Sequence, residues 1–383
     1  MFRLLHTADW HLGKQLHGQA LLEDQAYVLE QFHDVVREFK PDCIVIAGDI
    51  YDRTLPTTEA GCLFSETLER LALDYGKPVI IIAGNHDSPD RLEFGAKIFA
   101  ENGIYIYGNL RDKIEPLIIE GGDMAVAFCP IPYFEPALLR DKLGQAESCT
   151  HQTVLQRICA IYRQRLSPEN HSVLIAHAFV EGGIESDSER PLLIGGAGSV
   201  ESKIFEGFSY VALGHLHAPQ CAGGSNICYS GSITKLSFSE ADHTKAFNLV
   251  EIDRAGAAHI EQVPIKLKRE VRRLRGCFEE ILNQAEEYTG RRDYLMITLD
   301  DGAPVFDALA RLREVYPNVL HIERSRLEIG DQAPPVSHDD LKLDDSSLFK
   351  VFFKYVTDQE LSPEQNSHFV DLLNRMKHSE RQG

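Results

Sequence analysis

Val79-Ile80-Ile81-Ile82-Ala83-Gly84-Asn85-His86-Asp87 is the stretch on which the fold turns. Preceded by Pro78, its apolar half reads as a fully buried parallel strand, and the polar half is what the strand's C-terminal end delivers. Open α/β sheets bind their ligands there. An amide, an imidazole and a carboxylate in consecutive positions offer a metal ligand, an acid and a group to orient that acid. Gly84 lets the backbone turn sharply ahead of them. By itself the quartet reads equally well as a polar loop capping the next helix.

Upstream, Phe2-Arg3-Leu4-Leu5-His6-Thr7 makes a first strand, and Asp9 and His11 just beyond it are spaced to point to one side of a turn. Leu21 to Phe39 carries Tyr27, Val28, Phe32, Val35, Val36 and Phe39 close to helical spacing, which predicts a crossover helix. Asp42 to Ala47 is a second apolar strand with Gly48-Asp49-Ile50-Tyr51-Asp52-Arg53 at its end. A second crossover helix over Thr57 to Leu73 leads back to Pro78. Downstream, residues 104–133 break into short β segments around Gly121-Gly122, Pro130 and Pro132, which predicts a meander. After a helix over Thr153 to Arg165, the earlier theme returns. Ser172 to Ala176 ends in His177, and Tyr210 to Leu213 ends in Gly214-His215-Leu216-His217. Further strands are expected near 227–229, 247–252 and 259–265.

The chain has 383 residues, 43% of them hydrophobic, enough for two or three domains with a sizeable core. Met1 to Leu5 already reads as strand, without a basic leader or an apolar span of membrane length, so the expected location is the cytoplasm. The eight cysteines, at 43, 62, 129, 149, 159, 221, 228 and 277, contain no C-x-x-C pair and lie mostly in apolar segments. They are expected to be reduced, with neither a disulfide framework nor a thiolate zinc site. Lys and Arg number 39 against 58 Asp and Glu, a net charge of −19. That excludes nucleic-acid binding by bulk electrostatics alone and leaves any phosphate substrate to metal ions or a partner.

Beyond about residue 266, Lys266, Lys268, Arg269, Arg272, Arg273 and Arg275 crowd together with only Glu270 opposing them. They open a small α+β module of strand, helix, strand, helix, strand running to Glu328. Its basic strand suits either backbone phosphates or an exposed sheet edge guarded by charge. Gly330 to Ser347 reads as a linker with Pro334-Pro335 and two acidic pairs. Two amphipathic helices follow, one carrying Leu348, Phe349, Phe352, Phe353 and Val356, the other Phe369, Val370, Leu372, Leu373 and Met376. Ser362, Pro363 and Gln365 give the second a cap, an N1 proline and a capping-box partner. Two such helices bury too little on each other alone, which points to docking on a partner or back onto the same chain.

Asp9 and His11, Asp49, Asn85 and His86, His177, and His215 and His217 thus end five separate apolar strands. One polar strand end is ordinary. Five of them carrying only Asp, Asn and His, with no Ser or Cys nucleophile, read as one site for borderline to hard divalent ions. They are too many for one ion. A two-ion site ~3.5–4 Å across needs a bridging carboxylate, for which Asp49 is the candidate. The implied chemistry is phosphoester hydrolysis, with His86 protonating the leaving group and Asp87 orienting its ring.

The ordered set Asp9-x-His11, Gly48-Asp49, Gly84-Asn85-His86-Asp87, His177 and Gly214-His215-Leu216-His217 resembles the motifs of the calcineurin-like metallophosphoesterases. A second layer is similar to one subfamily, the bacterial nuclease subunits that work with a partner ATPase. It comprises His6 to Gly13, Ser186-Asp187-Ser188-Glu189-Arg190-Pro191, Tyr210 to His217 and Tyr229-Ser230-Gly231-Ser232 to Phe238-Ser239. The resemblance implies an α/β sandwich of two β-sheets flanked by helices over 1–265 and a capping domain over 266–330. An acidic linker over 331–347 and a helical tail over 348–383 that binds the ATPase would follow. It further implies two divalent ions, manganese expected, one on Asp9, His11, Asp49 and His217 and the other on Asp49, Asn85, His177 and His215. His86 matches the catalytic histidine. The implied activity is exonuclease on duplex DNA ends and endonuclease on hairpins or single strands, in DNA repair, recombination and replication. The implied assembly is a homodimer within a heterotetramer.

One position departs from the pattern. Archaeal and eukaryotic relatives have a second functional histidine soon after the bridging Asp, whereas Asp52-Arg53 stands here. Arg53 suits either a substrate phosphate or a surface pair with Asp52. Lys268, Arg269, Arg272 and Arg273 are the other candidate DNA contacts. A phosphatase acting on small phosphoesters or phosphoproteins, and a scaffold whose metals only hold the fold, are the competing readings.

Overall fold

A computed structural model describes residues 1–136, 150–167, 170–189, 198–303, 305–325, 345–357 and 360–379. Arg190, Pro191 and residues 326–344, which include most of the expected linker, lie outside them. The chain divides into two compact units, one of residues 1–299 with 305–323 and one containing the C-terminal helices.

The larger unit is built on two six-stranded sheets. The first runs in the order Ala258–Pro264, Ala246–Ile252, Phe2–Thr7, Cys43–Ile46, Val79–Ile82, Ile104–Tyr107, and its last four strands are parallel. The second runs Gln220–Cys221, Ile227–Tyr229, Tyr210–Gly214, His171–His177, Met124–Ile131, Leu117–Gly121. Side chains alternate across a strand, and here both faces are covered, which is why the central strands are apolar throughout. Ile80 and Ile82, Cys43 and Val45, Val173 and Ile175, and Tyr210 and Ala212 fill the space between the sheets. Their neighbours Val79, Ile81, Ile44 and Ile46 face the helices on one outer side, and Leu174, Ala176, Val211 and Leu213 those on the other.

Helices Leu22–Phe39 and Thr58–Glu69 cover the first sheet. Val28, Leu29, Phe32 and Val36 form the buried stripe of the former, which stops at Lys40 in the left-handed region. Thr57 caps the latter. Helix His151–Arg165, capped reciprocally by Thr150 and Thr153, covers the second sheet. The result is a four-layer α/β sandwich, as the family resemblance implies.

Two expectations fail. Ile104–Tyr107 does not open a meander; it pairs in parallel with Val79–Ile82 and ends the first sheet. Only Leu117–Gly121 and Met124–Ile131 form the antiparallel hairpin. The cysteines are also not all reduced: Cys221 and Cys228 are disulfide-bonded. Between them the chain reverses at Gly223-Gly224, and the antiparallel register sets the two cysteines directly opposite, Cα atoms 4.0 Å apart. Cysteine spacing alone does not reveal that register.

Val271–Gly276, Tyr294–Leu299 and Val319–Arg324 form a separate three-stranded sheet with Val271–Gly276 at an edge. Helices Phe278–Asn283 and Ala308–Val315 pack on it through Phe278, Ile281, Leu312 and Tyr316. Val271 and Tyr294 also pack with Leu16, Leu21, Leu236 and Phe238, which joins the module to the sandwich. In the smaller unit, Phe349 of helix Asp345–Thr357 stacks on Phe369 of helix Pro363–Ser379 at 3.7 Å. The Ser362 side chain accepts from Gln365 N and Gln365 Oε1 accepts from Ser362 N, the capping box expected there. Leu348, Val351 and Leu372 stay exposed.

Candidate metal centre

The five strands belong to different sheets: Phe2–Thr7, Cys43–Ile46 and Val79–Ile82 to the first, His171–His177 and Tyr210–Gly214 to the second. Their C-terminal ends meet. Beyond the first two strands the ladder continues between loops, with Asp9 N donating to Gly48 O, His11 N to Asp49 O and Leu12 N to Ile50 O. To reach the centre the chain accepts left-handed backbone at Asp9 (φ 52°), His11 (φ 44°), Asp49 (φ 51°) and His215 (φ 107°). Such residues cost of order 1–3 kcal/mol each, and they persist where surrounding structure over-determines them.

Asp49 occupies the middle. Its Oδ1 accepts from His86 N at 2.8 Å, and its Oδ2 is 3.5 Å from both His11 Nε2 and His177 Nε2. On one side, His11 Nε2 and His217 Nε2 face each other at 3.2 Å, and Asp9 is close enough to share a ligand set with both. On the other, His177 Nε2 is 2.9 Å from Asn85 Oδ1. Asp9 accepts from His215 N at 2.9 and 3.1 Å through its two oxygens. Asp9, Asp49, His11, His177, His215 and His217 are all buried.

These groups fit divalent cations. His215 Nε2 is buried with no hydrogen-bond partner, and two imidazole nitrogens face each other at 3.2 Å. His177 has oxygens at both ring nitrogens, Ala47 O on Nδ1 and Asn85 Oδ1 on Nε2; a neutral ring donates to only one of them, so a second proton or a cation must answer the other. The carboxylates point the same way. Burial pushes the Asp9 carboxyl well up, and the charge of Asp49 adds to it. Burial would raise Asp49 too, but the charges of His177, His11 and His86 outweigh it and hold Asp49 low. His177 is opposed by burial yet pushed up to about 9 by Asp49. Candidate ligand trios form at Asp9, His11 and His217 and at Asp9, Asp49 and His177.

Three expectations are corrected or sharpened. Gly84 serves less for a turn than for space, because a Cβ there would meet Asp49 Oδ1 at 2.2 Å and Asp49 N at 2.3 Å. The hydrogen bonds of Asp87 run to backbone amides. Its oxygens accept from Gly84 N, Ile50 N and Tyr51 N, so it ties its own loop to the one that carries Asp49. His86 Nδ1 meets the main-chain oxygen of Asp52 at 2.9 Å. The Asp52 carboxylate lies 3.7 Å from His11 Nδ1 and 3.0 Å from Lys14 Nζ.

The proposed DNA-contacting cations are engaged within the chain. Lys268 pairs with Glu23, Arg269 with Glu23 and Asp24, Arg272 with Asp293 and Arg273 with Asp242. Arg53 lies 3.8 Å from Asp52 with its side chain 77% exposed. Reading the sequence also missed Glu240 and Lys245, which lie behind His217 and carry no metal-ligand spacing to betray them.

Residues 2–219 match the calcineurin-like phosphoesterase family model, and residues 267–359 match the C-terminal domain model described as a type 5 capsule protein repressor. The chain belongs to the calcineurin-like phosphoesterases, as a metal-dependent hydrolase with its ligand clusters in place. Within that class it belongs with the SbcD nuclease subunits. It is 36% identical to the SbcD subunit of the SbcCD nuclease of Staphylococcus epidermidis over 372 residues, 97% of this chain and 98% of the relative. The crystal structure of TT1561 of Thermus thermophilus is 12% identical, with a TM-score of 0.38 over 68% of this chain and 98% of that one.

A Gly84→Ala substitution should force Asp49 aside and lower stability by ~1–3 kcal/mol. Denaturant unfolding combined with manganese titration checks both effects; an unchanged affinity would show that Gly84 does not seat Asp49.

Proposed function

We propose that this chain is the cytoplasmic nuclease subunit of an SbcCD-type complex, hydrolysing DNA phosphodiesters with two divalent ions, manganese preferred. Its action would be exonucleolytic on duplex ends and endonucleolytic on hairpins or single strands, in repair, recombination and replication. The observation that carries this reading is Asp49 equidistant, at 3.5 Å, from His11 on one side and His177 on the other. Asp9, His11, Asp49 and His217 would hold one ion, and Asp49, Asn85, His177 and His215 the other. Ions held there supply charge to neutralise the phosphate and lower the pKa of water.

The protein's own groups do the rest. His86 sits beside His11, ring centroids 4.7 Å apart, and its Nδ1 is held by the Asp52 carbonyl. Its Nε2 would pass a proton to the leaving oxygen. Arg53, exposed at the same loop, is proposed to contact a substrate phosphate. For Lys268, Arg269, Arg272 and Arg273 to contact DNA, they would exchange internal acidic partners for phosphates. The C-terminal helices, with Leu348, Val351 and Leu372 exposed, are proposed to dock on SbcC.

A homodimer is supported by a surface where Leu55, Leu73 and Phe94 are 68–84% exposed around a groove of about 550 Å³ lined by Phe64, Leu68 and Leu92. Protruding apolar groups and an apolar groove in one patch suit an isologous contact.

Replacing His86 with Ala should leave manganese binding intact and reduce cleavage of duplex ends by ~10²–10⁴-fold. Undiminished nuclease activity would sink the assignment, and activity on a chromogenic phosphodiester without any on DNA would favour a small-molecule phosphoesterase. Deleting residues 346–383 is expected to abolish SbcC pull-down while sparing basal phosphodiesterase activity; normal pull-down refutes the docking role. Phe94→Glu should shift the mass in light scattering from dimer to monomer, and a dimer that survives it would place the contact elsewhere.

A further inference from the structure

We infer that Ser188, Glu240 and Lys245 form a positioning assembly for His217, fixing which ring nitrogen faces the metal centre and thereby setting the affinity of one ion. The inference rests on the reading of His217 as a metal ligand. Three separate segments converge on this residue and grip it at its ring, its amide and its carbonyl.

At the ring, Ser188 Oγ lies 2.7 Å from His217 Nδ1, and Glu240 Oε1 lies 3.4 Å from it. Ser188 donates its hydroxyl hydrogen to Glu240 Oε1 at 2.6 Å, so its oxygen is left to accept from Nδ1. The proton therefore belongs on Nδ1, and Nε2 faces His11 with its lone pair directed at the place of a cation. At the backbone, His217 N donates to Glu189 Oε1 at 2.8 Å, and His217 O accepts from Lys245 Nζ at 2.7 Å and from Ser232 N at 3.1 Å. Lys245 closes the circuit by pairing with Glu240 Oε2 and donating to Ser232 Oγ.

Glu240 is 0% exposed and Lys245 1% exposed. A buried ion pair is weak evidence for stability, because desolvation offsets its attraction and well-packed apolar groups serve as well or better. Its contacts here point inward to one ligand. Ser188, Glu189 and Ser232 also fall within stretches that set the subfamily apart but had no chemistry of their own. Holding His217 gives those stretches a common purpose.

The test is calorimetric titration of the purified full chain with manganese chloride alone, wild type against a Glu240→Gln/Lys245→Met double variant. The double variant removes both charges and leaves neither buried unpaired. The expected result is a metal-free thermal midpoint near that of wild type, one ion bound normally and the other ~10–100-fold more weakly. Ser188→Ala, which removes only the ring contact, should weaken the same ion and keep the fold if the double variant does not. Two ions bound with wild-type affinity in Ser188→Ala and in a folded double variant overturn the positioning role while leaving the metal-centre reading intact. Failure of wild type to bind manganese overturns that reading, and this inference with it.

Discussion

The Asp49 carboxylate is the contact on which the rest of the site depends. It is 1% exposed, and a charge so far from water must be met on every side. One oxygen takes the amide of His86, the other faces His11 and His177, and Gly84 lies flush against it. His11 and His86 come from the first sheet and His177 from the second. Spacing around Asp49 is therefore set by how the sheets pack, through Ile80, Val45, Val173 and Ala212. A close-packed interior of this kind transmits small displacements, so residues far from the centre hold its geometry.

That dependence explains where the chain tolerates strain. Left-handed backbone at Asp9, His11, Asp49 and His215 lets short loops turn donor atoms inward immediately after buried strands. Asp87 stabilises the arrangement from behind by accepting from three amides in two loops. The carboxylate next to the proposed acid thus ties two loops together, and a backbone carbonyl meets the ring.

Charge follows the same inward logic. The chain carries −19, and its densest basic segment is paired with Glu23, Asp24, Asp242 and Asp293. The edge strand Val271–Gly276 is guarded by those arginines, a known way to prevent stray strand pairing. In the proposed reaction, attraction of a polyanion falls chiefly to the bound cations and to the partner.

The parallel strands, their crossover helices and the candidate ligands at the strand ends were determined by the sequence alone, and the two-sheet sandwich by the resemblance its motifs carry. Apolar runs too continuous for a half-exposed strand, each followed at once by Asp, Asn or His, have little other use. The C-terminal capping box was legible for the same reason, since its partners are three residues apart. What only the tertiary structure decided involves residues whose partners no local pattern names: Cys221 against Cys228, Arg269 against Asp24, and Glu240 with Lys245 behind His217. Even Asp87 and His86, adjacent in sequence, diverge because consecutive side chains meet different neighbours. Local periodicity specifies which face a residue joins; the partner it meets there depends on how separate segments pack.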